Sequence, residues 1–162
     1  MKTIVIYYSY GNHTRMIAEK IKEKLNCDIL EIKPIEPYST DYQTVVDETV
    51  DNLQAKKLRE IEDININLDD YEKVVLGTPV WWYTITPPIR TFLMKYNLNG
   101  KIVYPFATNA GWIGSTFDEI KELCKGKIKE EMNIKFTTDH NENKLVTNEN
   151  IIDEWIDKIK ND

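Results

Sequence analysis

Three short stretches of this chain, Thr3–Tyr8, Lys73–Thr78 and Lys101–Thr108, are apolar almost throughout rather than at alternate positions. Runs of that kind belong to strands covered on both faces, which is the condition of a parallel sheet between two layers of helix. Two further strand-like runs, Asp28–Lys33 and Met132–Thr137, complete a set of five. Between them, apolar residues return at helical spacing. The first such pattern is Ile17, Ala18, Ile21 and Leu25, and the second is Tyr42, Val45, Val46, Val50 and Leu53. The third, Ile89, Phe92, Leu93 and Tyr96, is opened by Thr86 with Pro87 and Pro88 in its first turn. Phe117, Ile120 and Leu123 follow a capping-box pattern from Thr116 to Glu119. The last helix, Ile151, Ile152, Trp155, Ile156 and Ile159, comes after Thr147 and Asn148. Core packing is the role expected for all of these. Strands that alternate with helices imply right-handed crossovers and an α/β fold: a doubly wound five-stranded parallel sheet with helices on both faces. The charged, irregular stretch 54–72 reads as the connection into the third strand.

The chain has 162 residues and carries neither a repeat nor a linker, so one domain spanning 1–162 is expected. Its net charge of −6 and its lack of a basic stripe argue against a nucleic-acid partner. No apolar run approaches the length of a membrane span, and the N-terminal run reads as a first strand, not a signal sequence. Cys27 and Cys124 form no CxxC pair, which fits packing thiols in a reducing cytoplasm. His13 and His140 lack the spacing of a metal site, and His140 falls in the polar stretch Thr137–Lys144, read as surface loop. Asp41, Asp47, Glu48 and Asp51 form either a solvated helix face or a docking face for a basic redox partner.

In a doubly wound sheet the ligand sits beyond the carboxyl ends of the strands. Three loops there are informative. Ser9-Tyr10-Gly11-Asn12-His13-Thr14 joins the first strand to a helix start, where backbone N–H groups and hydroxyls favour a phosphate. The same pattern also serves as a plain turn and helix cap. Neither GxxxxGK[ST] nor GxGxxG is present, and a loop without lysine suits a phosphate that is kept rather than hydrolysed. The second loop is Gly77-Thr78-Pro79-Val80-Trp81-Trp82-Tyr83-Thr84, and the third is Thr108-Asn109-Ala110-Gly111-Trp112-Ile113-Gly114-Ser115. Three of the four tryptophans fall in these loops, where flat side chains suit a planar ligand by stacking or pack against one another over the sheet end. A receiver domain would need acidic residues where Tyr8 and Ser9 stand and an aspartate where Thr78 and Pro79 stand; a low-molecular-weight phosphatase would need a cysteine in the first loop.

On these residues the chain resembles the flavodoxin-like, FMN-binding family over nearly its whole length. It is most similar to short bacterial and archaeal flavodoxins with a G-x-P-x-W-W loop, here Gly77 to Trp82, and a Pro-Tyr-x-x-Asp-Tyr segment, here Pro37 to Tyr42. The resemblance implies a sheet of order 2-1-3-4-5 and FMN as cofactor. It implies phosphate contacts from Ser9, Gly11, Asn12, His13 and Thr14. Pro79, Val80, Trp81, Trp82 and Tyr83 would wrap the isoalloxazine, and Thr108, Asn109, Ala110 and Gly111 would meet its pyrimidine end. The electron transfer belongs to the flavin and the catalytic side chains stay unassigned; His13 reads as a phosphate contact, as a proton donor near the cofactor, or as a solvent-facing residue of the first helical turn.

The chain departs from many family members in two places. Gly-Asn-His-Thr stands where they have Thr-Gly-Asn-Thr, and Trp82 stands where they have a glycine beside the flavin. In such carriers a peptide beside the flavin rotates on one-electron reduction and places a residue at positive φ. A bulky residue is expected to resist that conformation at a cost of about 1–2 kcal/mol. The expected function is therefore a flavin-dependent reductase that moves electrons from NAD(P)H or another donor to a quinone-like acceptor. The alternative is a single-electron carrier between protein partners.

Overall fold

The computed structural model describes residues 1–54, 57–138 and 144–162; His140 and the side chain of Leu53 lie outside the described residues. The chain runs β1 (Thr3–Tyr7), α1 (His13–Leu25), β2 (Asp28–Glu31), α2 (Tyr42–Gln54), β3 (Lys73–Pro79), α3 (Pro87–Lys95), β4 (Ile102–Asn109), α4 (Thr116–Leu123), β5 (Lys127–Ile128), β6 (Met132–Lys135) and α5 (Glu149–Asn161). All ladders are parallel, in the order β2-β1-β3-β4-β5, with β6 also on β4.

The continuous apolar runs are the inner strands. β3 is buried at every position, and Ile4, Val5 and Ile6 of β1 have no exposed surface. Successive side chains therefore feed two cores. Ile4, Ile6, Val74, Leu76, Val103 and Ala107 pack under α2, α3 and α4 through Val45, Ile89, Phe92 and Ile120. Val5, Tyr7, Val75, Tyr104 and Phe106 pack under α1 and α5 through Ile17, Ile21, Trp155 and Ile156. The first crossover goes from β1 outward to β2, and the next returns past β1 to β3. That reversal opens a crevice at the carboxyl ends of β1 and β3.

Several details differ from the sequence expectation. The fifth strand is split. Lys127–Ile128 pairs with Ile102 and Val103, whereas Met132–Lys135 pairs with Phe106 to Asn109. Between the two pieces, Glu130 adopts φ 44°, and its carbonyl accepts from the Trp155 indole. The capping box at Thr116 and Glu119 is absent. Ser115 leads α4, the Thr116 hydroxyl donates to the Ile113 carbonyl at 2.6 Å, and Glu119 turns to Thr84 and Arg90 instead. Two residues read as core, Tyr42 and Ile151, are exposed, since each stands at the start of its helix where the packed stripe has yet to begin. Among the described residues no helix is long and apolar enough to cross a membrane.

Candidate functional site

The first loop is organised by its own small side chains. Ser9 Oγ accepts from the Arg15 N–H at 3.2 Å and so satisfies one of the donors a helix start leaves without an internal partner. Gly11 turns the chain at φ 76° with open space around it. Asn12 precedes α1 without a side-chain cap. His13 stacks flat on Phe136, ring centroids 3.9 Å apart, so its imidazole ties the loop to the end of the sheet. Thr14 is 1 % exposed, and its hydroxyl lies 2.7 Å from that of Thr108 at the end of β4. One hydroxyl of such a pair donates to the other, and the second proton remains for an outside acceptor. The nearby cation, Arg15, is committed to Glu31, so the loop offers a phosphate its backbone N–H groups and hydroxyls.

The second loop is a hairpin held from outside. Gly77 lies under the Phe106 ring, where a Cβ would come within 2.2 Å, and this explains the glycine that opens the motif. Thr78 and Pro79 close β3 as buried residues, and the Val80 N–H reaches the Thr108 carbonyl at 3.0 Å. Trp81 and Thr84 exchange backbone hydrogen bonds of 3.1 and 3.0 Å around Trp82 at φ 51° and Tyr83 at φ 64°. Two positive φ values inside a two-residue hairpin define a type I′ turn, a conformation that normally takes Asn-Gly. The expectation that a bulky residue stays out of positive φ is thus corrected: two aromatic residues occupy it. Long-range bonds hold them there. Ser115 donates to the Tyr83 carbonyl from its N–H at 2.8 Å and its hydroxyl at 3.2 Å. The Trp82 indole donates to Thr49 Oγ1 at 3.2 Å, and Gly114, at φ 57°, packs against the Tyr83 backbone.

The aromatic residues do not behave alike. Trp81 is half-buried, edge-on to Tyr8, Tyr10 and Tyr38 at 5.9, 5.6 and 5.0 Å, so it packs as part of the core. Burial pushes the Tyr8 phenol well above its usual range. It also pushes Tyr38 up to about 12, although the Arg59 guanidinium, 4.1 Å above the Tyr38 ring, works the other way. Trp82, Tyr83 and Trp112 are exposed, Trp112 by 67 %, and the Tyr83 and Trp112 rings lie 5.3 Å apart.

These residues line a cleft of about 290 Å³. It gathers Val80, Trp81, Trp82 and Tyr83 from the second loop with Asn109, Ala110 and Gly111 from the third. Ser9, Gly11, Asn12, His13 and Thr14 do not line it; they adjoin it through Tyr10 and through the Thr14–Thr108 hydroxyl pair. Tyr42, Val45, Val46 and Thr49 of α2 form a wall that sequence reasoning assigned to the core or passed over. The signal was there for the valines and Tyr42 as an apolar stripe, but one stripe can face both a core and a cleft. Among the described residues, none of the lining is charged. The cleft nevertheless has unmet hydrogen-bonding capacity. Asn109 Nδ2 donates to Asn133 and Ile134, while its Oδ1 is buried without a partner among the described residues. A flavin mononucleotide supplies what this set lacks: a flat ring with polar N–H groups for Asn109 and the aromatic walls, and a phosphate for the backbone N–H groups and hydroxyls of the first loop.

Comparison with known proteins agrees with that fit. The family model described as Flavodoxin matches residues 2–159. A solved structure of a flavoprotein in complex with FMN from Lactobacillus acidophilus NCFM is 27 % identical, with TM-score 0.71 over 82 % of this chain and 92 % of that one. A candidate flavoprotein from Bacteroides eggerthii DSM 20697 is 28 % identical, with TM-score 0.77 over 98 % and 97 %. A flavodoxin from the domain Archaea shares the fold at 18 % identity, with TM-score 0.58 over 99 % and 97 %. No curated protein matches.

Proposed function

The chain belongs to the flavodoxin family, and on that premise we propose that it is an FMN-dependent reductase that delivers electrons in pairs to a neutral, quinone-like acceptor. FMN, when bound, supplies the electron transfer; the protein supplies place and surroundings. Ser9, Gly11, Asn12, His13 and Thr14 hold the phosphate end through backbone N–H groups and hydroxyls. Pro79 to Tyr83 and Thr108 to Gly111 hold the ring.

The observation that carries this reading is the Trp82–Tyr83 turn. The other orientation of its central peptide is a type II′ turn, which asks for glycine at the first central position. Trp82 stands there, so the peptide has one orientation and does not turn to meet a change in the cofactor. The uncharged aromatic cleft around it suits a flat neutral acceptor. A second reading, a one-electron carrier, has its own support in Asp47, Glu48 and Asp51, which are exposed beside the cleft and would suit a basic protein partner.

Anaerobic titration of the FMN-loaded protein separates the two. The reductase passes directly to the two-electron-reduced state and turns over with a nicotinamide donor and a quinone. Accumulation of a stable one-electron state in most of the protein at mid-titration would establish the carrier instead. FMN should bind more tightly than FAD, since the site has no second nucleotide-binding fingerprint; equal affinities in equilibrium binding would remove that preference.

A further inference from the structure

The Trp82–Tyr83 turn does not stand on its own bonds. Each left-handed residue with a side chain costs about 1–2 kcal/mol, so something outside the turn must set it. The closing residue, Thr84, donates its hydroxyl to Glu119 Oε2, in the first turns of α4. Arg90 of α3 donates to the same oxygen from Nη2 at 2.6 Å. Their side chains are 5 % (Arg90) and 12 % (Glu119) exposed, so each is the counter-charge that burial demands of the other.

The pair is not arranged as a helix clamp alone would be. Arg90 Nε is buried without a hydrogen-bond partner among the described residues. An apolar pair of similar volume would join α3 to α4 at least as well. What an apolar pair could not do is accept from Thr84.

We propose that Glu119, charge-balanced by Arg90, is a positioning residue. Through Thr84 it holds the aromatic turn in the geometry presented to the flavin ring. The inference rests on that turn facing the ring. Together with Ser115 on the Tyr83 carbonyl, it makes the start of α4 the seat of the turn.

The test uses the FMN-loaded protein and five variants, with three readouts: FMN affinity, the visible circular dichroism of bound flavin, and the melting temperature of the apoprotein. Thr84→Val removes only the hydroxyl and leaves the ion pair whole. It should weaken FMN by about tenfold and change the flavin dichroism, with little change in apoprotein melting. Thr84→Ser should restore both. Glu119→Met, which takes away the acceptor at similar volume, should change the dichroism as Thr84→Val does, and the double variant should show no further change. Parent affinity and dichroism in Thr84→Val would overturn the proposal, and so would additive effects in the double variant. If Glu119→Met does not fold, Thr84→Val and Thr84→Ser decide alone. Tyr83→Ala reads the placement itself. An unchanged flavin dichroism there would take the turn away from the ring and overturn both readings, whereas a change there without one in Thr84→Val would overturn only the positioning role.

Discussion

The loop after β1 and the loop after β3 lie at the same edge of the sheet, on paired strands, and both use left-handed backbone. In the first, the left-handed position is Gly11, in open space, and the loop closes on its own Ser9. In the second, the left-handed positions are Trp82 and Tyr83, and the bonds that fix them come from α2 and from the start of α4. Glycine accepts that conformation without strain, and two aromatic residues do not. The backbone turn at the phosphate end is therefore set locally, with His13 and Thr14 reaching Phe136 and Thr108 only through their side chains, whereas the turn at the ring end is set by tertiary bonds. A local structure tolerates change in its surroundings; a tertiary one transmits it.

The sharpest way to break this contrast is a methyl group in the first loop and another where the third loop meets the second. A Cβ on Gly114 would lie 2.2 Å from the Tyr83 carbonyl, on top of the cost of φ 57°. Gly114→Ala should lower stability by about 3 kcal/mol and dislodge the turn. Gly11→Ala meets nothing and should cost only the conformational part, about 1–2 kcal/mol. Urea denaturation of both apoproteins reads the difference; equal losses would mean that the second loop is not seated on α4.

Thr14→Val probes the phosphate end. It removes one member of the Thr14–Thr108 hydroxyl pair, and a hydrogen bond to a charged group contributes roughly 1.5–3 kcal/mol. FMN affinity should fall by about ten- to a hundredfold, with riboflavin affinity nearly unchanged. Equal losses for both flavins would show that Thr14 acts through the fold.

Tyr83→Gly sharpens the contrast from the other side. With glycine at the second central position of the turn, the apoprotein should gain about 0.5–1 kcal/mol while FMN binds more weakly. A destabilised apoprotein in the same denaturation assay would mean that Tyr83 contributes more by contact than its conformation costs.

The last effect shows only at alkaline pH and concerns Tyr38, behind Trp81. Tyr38 has a folded-state pKa of about 12, above the usual 10. Its neutral form thus stabilises the fold in full below pH 10, and that contribution is lost as pH rises towards 12. Stability of the parent should decline across this window, and Tyr38→Phe should flatten the decline; identical alkaline curves would remove Tyr38 from the account.

What the sequence made legible follows the same division. Near-continuous apolar runs identified β1, β3 and β4, and the stripe through Trp155 identified α5, because burial on known faces leaves a periodic trace. The turn at Gly11 was legible because its geometry is made within a few residues. The left-handed Trp82–Tyr83 turn left no trace, since no local preference favours it. Its supports, Thr49, Ser115 and Glu119, lie more than thirty residues away. The pattern at Thr116 and Glu119 misled for a related reason: the carboxylate that could have capped its own helix serves Thr84 and Arg90.

The interruption between β5 and β6 has a consequence for the protein in a crowded solution. This strand is the outer edge of the sheet, where unpaired N–H and C=O groups invite a second chain to add itself. A visiting strand meets two residues at Lys127–Ile128 and four at Met132–Lys135, with Glu130 turned left-handed between them and fastened by the Trp155 indole. Neither piece is long enough to template a stable addition, and the exposed lysines at 127 and 135 add like-charge repulsion against a second copy in register. The kink thus guards this border of the sheet against aggregation together with residues 144–147, where the Val146 N–H donates to the Lys135 carbonyl and the Thr147 hydroxyl accepts from the Lys135 N–H.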